Sequence, residues 1–146
     1  MQKITPFLWF DKEAQEAAKY YVSIFKNSKI TDSNPMSVSF NLDGQDFIAL
    51  NAGPNFKFTE AISMFVNCED QKEVDYFWNK FIGDGGEESM CGWLKDKYGL
   101  SWQIVPKELP ALIGNPDPVK AKKALDSMLK MHKIIVADLQ KAAEEK

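Results

Sequence analysis

The chain has 146 residues, 45% of them hydrophobic, which is enough for one ordinary domain with a substantial core and too little for several. A net charge of −3 and an isoelectric point near 5.2 leave no basic field to gather phosphates, which excludes nucleic acid as a partner. No charged-then-apolar leader opens the chain and no apolar run approaches the roughly 18 residues of a membrane span, so a soluble, cytoplasmic protein without a membrane partner is expected.

In chain order, Ile4 to Phe10 form an apolar stretch containing Pro6 and running into Asp11, which predicts a strand followed by a helix start. The helix spans about Lys12 to Phe25, where Ala14, Ala17, Ala18, Tyr21, Ile24 and Phe25 recur at steps of three and four. Met36 to Leu42 alternate strictly, placing Met36, Val38, Phe40 and Leu42 on one strand face and Ser37, Ser39 and Asn41 on the other. Asp43-Gly44-Gln45 is a tight hairpin signal into Asp46 to Asn51, making these two strands antiparallel neighbours.

The pattern then repeats. Ile62 to Cys68 lead into Asp70, and Gln71 to Phe81 carry Val74, Phe77, Trp78 and Phe81 on one helical stripe until Gly83-Asp84-Gly85-Gly86 stops it. Met90 to Leu94 and Leu100 to Val105 read as strands around a Lys95-to-Gly99 turn. Past Pro106 the chain is punctuated by Pro110, Pro116 and Pro118, then carries an amphipathic helix over Val119 to Met131 and a shorter one over Ile135 to Ala143. A unit stated twice pairs with its copy, so we expect one α+β domain over 1–146, with module one at 3–52, module two at 61–105 and C-terminal helices at 107–143.

Chemistry is sparse in this chain. Cys68 and Cys91 lack C-x-x-C spacing and read as two reduced thiols; Cys91, predicted to share a strand face with Ser89 and Trp93, is the one nucleophile worth naming. The single histidine, His132, reads as an exposed or helix-end residue. The glycines at 83, 85 and 86 follow a helix and lead toward a strand, the reverse of the strand-to-helix turn that a dinucleotide or adenosylmethionine fold places against its cofactor.

Four segments carry a family resemblance: Ile4-Thr5-Pro6-Phe7-Leu8-Trp9-Phe10, Tyr21 to Ser28, Cys91-Gly92-Trp93-Leu94-Lys95-Asp96, and Gly99-Leu100-Ser101-Trp102-Gln103-Ile104-Val105-Pro106. They resemble the PhnB-like branch, often labelled 3-demethylubiquinone methyltransferase-like, of the glyoxalase, bleomycin-resistance and extradiol-dioxygenase (vicinal oxygen chelate) superfamily. The similarity runs from Ile4 to about Ala143; the segment from Ile30 to Pro35 is shorter than is usual there. The resemblance implies two βαβββ modules whose curved sheets form an incomplete mixed-sheet barrel around a cavity, commonly in a homodimer. In metal-using members, His and Glu at four pseudo-symmetric strand positions hold a divalent ion. Carried across, these positions fall at about Thr5, Ala49, Ser63 and Gln103, none a good imidazole or carboxylate donor, which implies no metal and no cofactor. Glu60, the nearest carboxylate to this set, reads as a solvated residue before its strand.

If those four positions face inward, strand parity adds Phe7, Trp9, Phe47, Asn51, Phe65, Asn67 and Ser101, with Ser37, Ser39 and Asn41 from the alternating strand. The expected ligand-binding residues are Thr5, Trp9, Ser39, Asn51, Ser63, Phe65, Cys91, Trp93 and Gln103. Such an aromatic, amide-rich lining suits a small neutral or aromatic organic molecule. The competing readings are a metal-dependent lyase or isomerase of glyoxalase type, and a structural dimer with no ligand. The apolar stripe of Leu125, Met128 and Leu129 is expected to serve the dimer.

Overall fold

The computed structural model describes residues 2–145 and divides into two compact units, with the boundary between Phe58 and Thr59. In the first unit the order is β1 (Phe7–Phe10), α1 (Ala14–Ile24), β2 (Lys29–Ser33), β3 (Ser37–Leu42) and β4 (Gln45–Asn51). The second repeats βαβββ with β5 (Ser63–Cys68), α2 (Gln71–Gly83), β6 (Glu87–Glu88), β7 (Trp93–Lys95) and β8 (Ser101–Pro106). It continues into α3 (Leu109–Ile113), α4 (Pro118–Met128) and α5 (Val136–Glu144). The fold is α+β, built on two four-stranded mixed sheets ordered β1-β4-β3-β2 and β5-β8-β7-β6, and neither sheet closes on itself.

Each sheet has one face covered by its helix. In the first unit Val38, Phe40 and Leu42 of β3 and Phe47 and Ala49 of β4 are buried with Tyr21 of α1. The Phe40 and Phe47 rings stack with centroids 5.3 Å apart, and Tyr21 stacks on Phe40 at 6.2 Å. Asp43 and Gly44 both take positive φ, 47° and 93°, in a two-residue turn between Leu42 and Gln45, the hairpin geometry that Asp-Gly favours. In the second unit the counterpart core joins Phe81 of α2 to Trp102 of β8, ring centroids 4.9 Å apart, with Val74, Trp78, Leu94 and Ile104 buried around them.

The two helices are capped differently. Asp70 caps α2 by accepting from the Glu73 amide at 2.9 Å, as the sequence predicts. Glu13 at the start of α1 makes no side-chain cap; Asn51, from the end of β4, accepts from the Ala14 amide at 2.8 Å and donates to Gln15 Oε1 at 2.8 Å.

The C-terminal extension is part of the second unit's core. Ile134 and Leu139 are fully buried with Val105 and Leu109, and Met128, Leu112 and Met131 pack against them. The Gln71 side-chain amide grips the segment entering α5, donating to Ile134 O at 2.9 Å and accepting from the Val136 amide at 2.8 Å. The Cys91 and Gly92 amides donate to the carbonyls of Met131 and His132, both at 2.8 Å.

Several expectations are corrected here. The first strand starts at Phe7, not Ile4: Pro6 has no amide to give the sheet, while its carbonyl accepts from Ile48. Thr5 therefore lies ahead of the strand, with Oγ1 donating to Gln2 O at 3.3 Å. The stretch from Ile30 includes an edge strand, β2, whose pairing with β3 slips between Ile30 and Asp32. Cys91 lies in a turn with φ of 59°, not on a strand with Ser89 and Trp93; β6 and β7 are interrupted there because the chain turns to meet the C-terminal segment. Met128 belongs to the buried C-terminal cluster and not to an exposed stripe with Leu125 and Leu129.

Candidate functional site

With one face of each sheet covered by its helix, the other face is where chemistry can be displayed, and the pairing registers assign every strand residue to one or the other. In the first unit Phe7, Trp9, Ile48, Leu50, Ser37 and Ser39 share the open face, since Phe7 pairs Ile48, Trp9 pairs Leu50, and Ser39 pairs Ile48. This face is largely apolar. Trp9 donates its indole N–H to Gly53 O at 2.9 Å and meets Phe56 edge-on at 4.9 Å, so the segment after β4 folds beside it.

Ala49, Phe47 and Asn51, which sequence parity places with Thr5 and Trp9, are on the opposite face. Ala49 pairs Leu8 and Val38, and Phe47 pairs Phe40, all helix-covered. The register is one residue away from the expectation, and a one-residue slip reverses the face of every side chain. The first-unit counterpart of Gln103 is thus Ile48, as each pairs across to the third strand of its unit at Ser39 and Trp93 respectively. Asn51 is committed to the start of α1. A groove of about 230 Å³ beside Ser39 is lined by Thr31, Phe40, Asp46 and Phe47. The Asp46 carboxyl is held below its usual range by the Asn41 amide and the Gln2 backbone N–H.

The second unit brings together more of the expected residues. Ser63, Phe65 and Asn67 of β5, Ser101 and Gln103 of β8, and Trp93 and Lys95 of β7 share one open face. Gln103 Nε2 donates to Ser63 Oγ at 2.9 Å, a bond that does not use the amide oxygen as an acceptor. Phe65 is 52% exposed and Trp93 half-buried, so two aromatic surfaces flank this polar pair. Sequence parity missed Lys95: it pairs Ser101 on the same face and forms an ion pair with Glu60. Hydrogen bonding and attraction between the two lower the Glu60 carboxyl and raise the Lys95 ammonium from their ordinary values. The signal available in the sequence was the alternation Trp93, Lys95 read with Gln103 as its cross-strand partner.

A divalent ion does not fit these residues. Among the described residues no group of three or more His, Cys, Asp or Glu side chains lies close enough to share a metal. The superfamily ligand positions, with the register corrected, are Thr5, Ile48, Ser63 and Gln103, which offer two hydroxyls, an amide and a hydrocarbon. His132 lies in the C-terminal segment with Nδ1 2.9 Å from Ser89 O. Gly83, Gly85 and Gly86 lie where α2 ends and the chain turns toward β6, in the helix-to-strand order.

Comparison with known proteins agrees with this architecture. A family model described as 3-demethylubiquinone-9 3-methyltransferase matches residues 2–105. The solved structure of a putative 3-demethylubiquinone-9 3-methyltransferase, PhnB protein, from Bacillus cereus is 36% identical, with 72% of this chain and 99% of that chain covered and a TM-score of 0.64. Protein PA1353 from Pseudomonas aeruginosa, at 17% identity, 73% and 98% coverage and TM-score 0.60, shares the fold. So does a glyoxalase-related enzyme from Fulvimarina pelagi, at 12% identity, 74% and 91% coverage and TM-score 0.53. No protein of curated function matches. The matched family region stops at residue 105, so the resemblance expected to reach Ala143 is established only to that point and α3 to α5 lie beyond it. With a family model across more than two thirds of its length and a 36% identical relative of the same fold, the chain belongs to the PhnB-like, 3-demethylubiquinone-9 3-methyltransferase family of glyoxalase-fold proteins.

Proposed function

We propose that the open face of the second unit's sheet binds a small neutral or aromatic organic molecule, without a metal. The observation that carries this is the Gln103 to Ser63 hydrogen bond of 2.9 Å flanked on one face by Phe65 and Trp93. An amide already oriented by a hydroxyl presents its oxygen to a ligand hydroxyl or N–H without the desolvation cost of a buried charge, and the two rings supply area for stacking. Trp9 and Ser39 are proposed as weak ligand contacts on the first unit's own open face, with Thr5 at the edge of that face, and Cys91 as a rim residue of the second unit's face; Asn51 acts through the α1 cap. The family description names a methyl transfer to a demethylubiquinone, whose head group is a planar ring. That supports the ligand class. It supports no reaction here, because the strand-to-helix glycine turn of a cofactor-binding methyltransferase fold has no counterpart in this glycine order.

A thermal-shift screen of neutral aromatic metabolites tests the reading. A ligand at one hundred times its Kd adds about 2.7 kcal/mol, roughly 8 °C for a chain of this length. Gln103→Ala should reduce that shift by weakening binding about 5- to 100-fold while the unliganded melting point stays close to wild type. Ligands that bind equally well to Gln103→Ala would overturn the site. One tightly held metal ion per chain, found by elemental analysis of protein purified without chelator, would overturn the metal-free part and favour the lyase or isomerase reading.

We also propose that both units and the C-terminal helices work as one domain in a cytoplasmic homodimer, with exposed Val119 and Leu125 on α4 and Leu129 at its C-terminal cap as the surface to be covered. Among the described residues no helix is long and apolar enough to cross a membrane. Light scattering that finds only a 16.6 kDa monomer at micromolar concentration would refute the dimer.

A further inference from the structure

Lys95, Ser101 and Ser63 form a lateral row across β7, β8 and β5, paired at one register and pointing to the open face. Ser101 occupies the middle of that row. It is 1% exposed, and its Oγ has no hydrogen-bond partner among the described residues. A buried hydroxyl left unpaired is costly and uncommon in folded proteins, so the position calls for an oxygen supplied from elsewhere. At one end of the row Ser63 is engaged by Gln103. At the other, the Lys95 ammonium faces Glu60, which precedes β5, and Glu87, its cross-strand partner on β6; its neighbours on β8 are neutral. The Lys95 and Glu60 side chains are 39% and 61% exposed, which makes their pairing weak and readily exchanged.

We propose that this row is a subsite for an ionised hydroxyl, a phenolate or enolate oxygen, on a planar ligand. The ligand oxygen takes the place of the Glu60 carboxylate on Lys95 and accepts from the Ser101 hydroxyl, while its ring rests against Phe65 and Trp93. Glu60 is then a stand-in that keeps Lys95 paired until the ligand arrives. The inference rests on the proposal that this face binds aromatic molecules, and it adds the acidity of the ligand and the residues that read it.

The probe is 4-nitrophenol, which titrates near neutrality and turns yellow on ionising, compared with its neutral methyl ether, 4-nitroanisole. The full-length protein should lower the apparent pKa of bound 4-nitrophenol by about one unit, read from its visible absorbance across pH. Glu60→Gln should raise the affinity for the phenolate relative to the ether on the order of 5-fold, by removing the competing carboxylate. Lys95→Met should abolish the pKa shift, Lys95→Arg should keep it, and Ser101→Ala should reduce the phenolate-to-ether ratio. Binding of the ether by each variant reports that the variant is folded. If the ether binds but the bound phenol titrates as it does in water, or if Glu60→Gln leaves the ratio unchanged, the subsite is refuted and the aromatic site stands. If neither compound binds at millimolar concentration, both proposals fall.

Discussion

Gly92→Ala should be among the most damaging single-methyl changes available in this protein, and the cause can be divided by a second substitution. Gly92 is buried at φ of 84°, and a Cβ there would lie 2.7 Å from Ile134 Cδ1 and 3.0 Å from the Ile104 carbonyl oxygen. The left-handed conformation costs an alanine about 1 kcal/mol, and forcing a methyl group into a filled core costs about 1–3 kcal/mol more. The sum, about 2–4 kcal/mol, corresponds to roughly 6–13 °C of melting temperature for a chain of this length. Ile134 is fully buried, so Ile134→Ala alone should cost about 2–5 kcal/mol through the cavity it leaves. The two changes are not independent, because the shortened side chain makes room for the new methyl. The double variant should therefore be more stable than the sum of the singles predicts by about 1–2 kcal/mol, with the backbone strain and the Ile104 contact remaining. Chemical denaturation of the four proteins gives this coupling directly. Additivity within about 0.5 kcal/mol would show that the C-terminal segment does not press on the Cys91-Gly92 turn as described.

Asp96, 4% exposed, accepts from the Tyr98 and Leu100 amides at 2.8 and 3.1 Å and from the Trp102 indole at 2.9 Å, so Asp96→Ala should destabilise by about 3 kcal/mol or more in urea titration. Gln71→Ala should cost about 2 kcal/mol and expose the segment after residue 107 to limited proteolysis before the rest, since it removes both amide contacts to Ile134 and Val136. Burial pushes the Cys68 thiol up to about 12, so at mildly alkaline pH a thiol-specific reagent should label half-buried Cys91 first and Cys68 only on unfolding; two equal fast phases would contradict this. Because the folded state favours the neutral Cys68 thiol, its contribution to stability is complete below the ordinary thiol range and shrinks as pH rises through it, and Cys68→Ala should flatten that alkaline limb. Asp75, held below the usual carboxylate range by Gln71 and then Lys133, contributes above that range and loses its contribution as pH falls through it, so Asp75→Asn should weaken the acid dependence of stability.

The elements that repeat were legible in the sequence because each carries its own period. The alternation of Ser37 to Leu42, the stripe of α1 from Ala14 to Ile24 and the Asp43-Gly44 hairpin all follow from short-range pattern and turn chemistry, and all are found. Strand β2 was not legible: Lys29 to Ser33 lies at a sheet edge, is mostly exposed and slips its register, so it has no buried face to write an alternation. That Phe65 shares a face with Ser63, and Ser101 with Gln103, followed from parity within each strand. The facing of Asn51 did not, because it depended on the register between β1 and β4, which is one residue away from the assumed one. The orphaned Ser101 hydroxyl and the Lys95 to Glu60 pair could be found only with side chains in place.

That one-residue correction changes what the repeat means for function. At corresponding positions the first unit presents Phe7, Ile48 and Ser39 where the second presents Phe65, Gln103 and Trp93, and Leu50 where the second has Val105. The scaffold is duplicated and the polar equipment is not. A half-buried amide that is held by a hydroxyl constrains the orientation of its surroundings, whereas Ile48 constrains only volume. Exchanging the pair tests the asymmetry: Ile48→Gln places an amide across from Ser39 and should cost stability without creating a second binding site, while Gln103→Ile leaves the half-buried Ser63 hydroxyl to water, should cost about 1 kcal/mol or less, and should eliminate binding. Equal loss of binding from both would mean that the two open faces contribute alike, and the assignment of recognition to the second unit would have to be withdrawn.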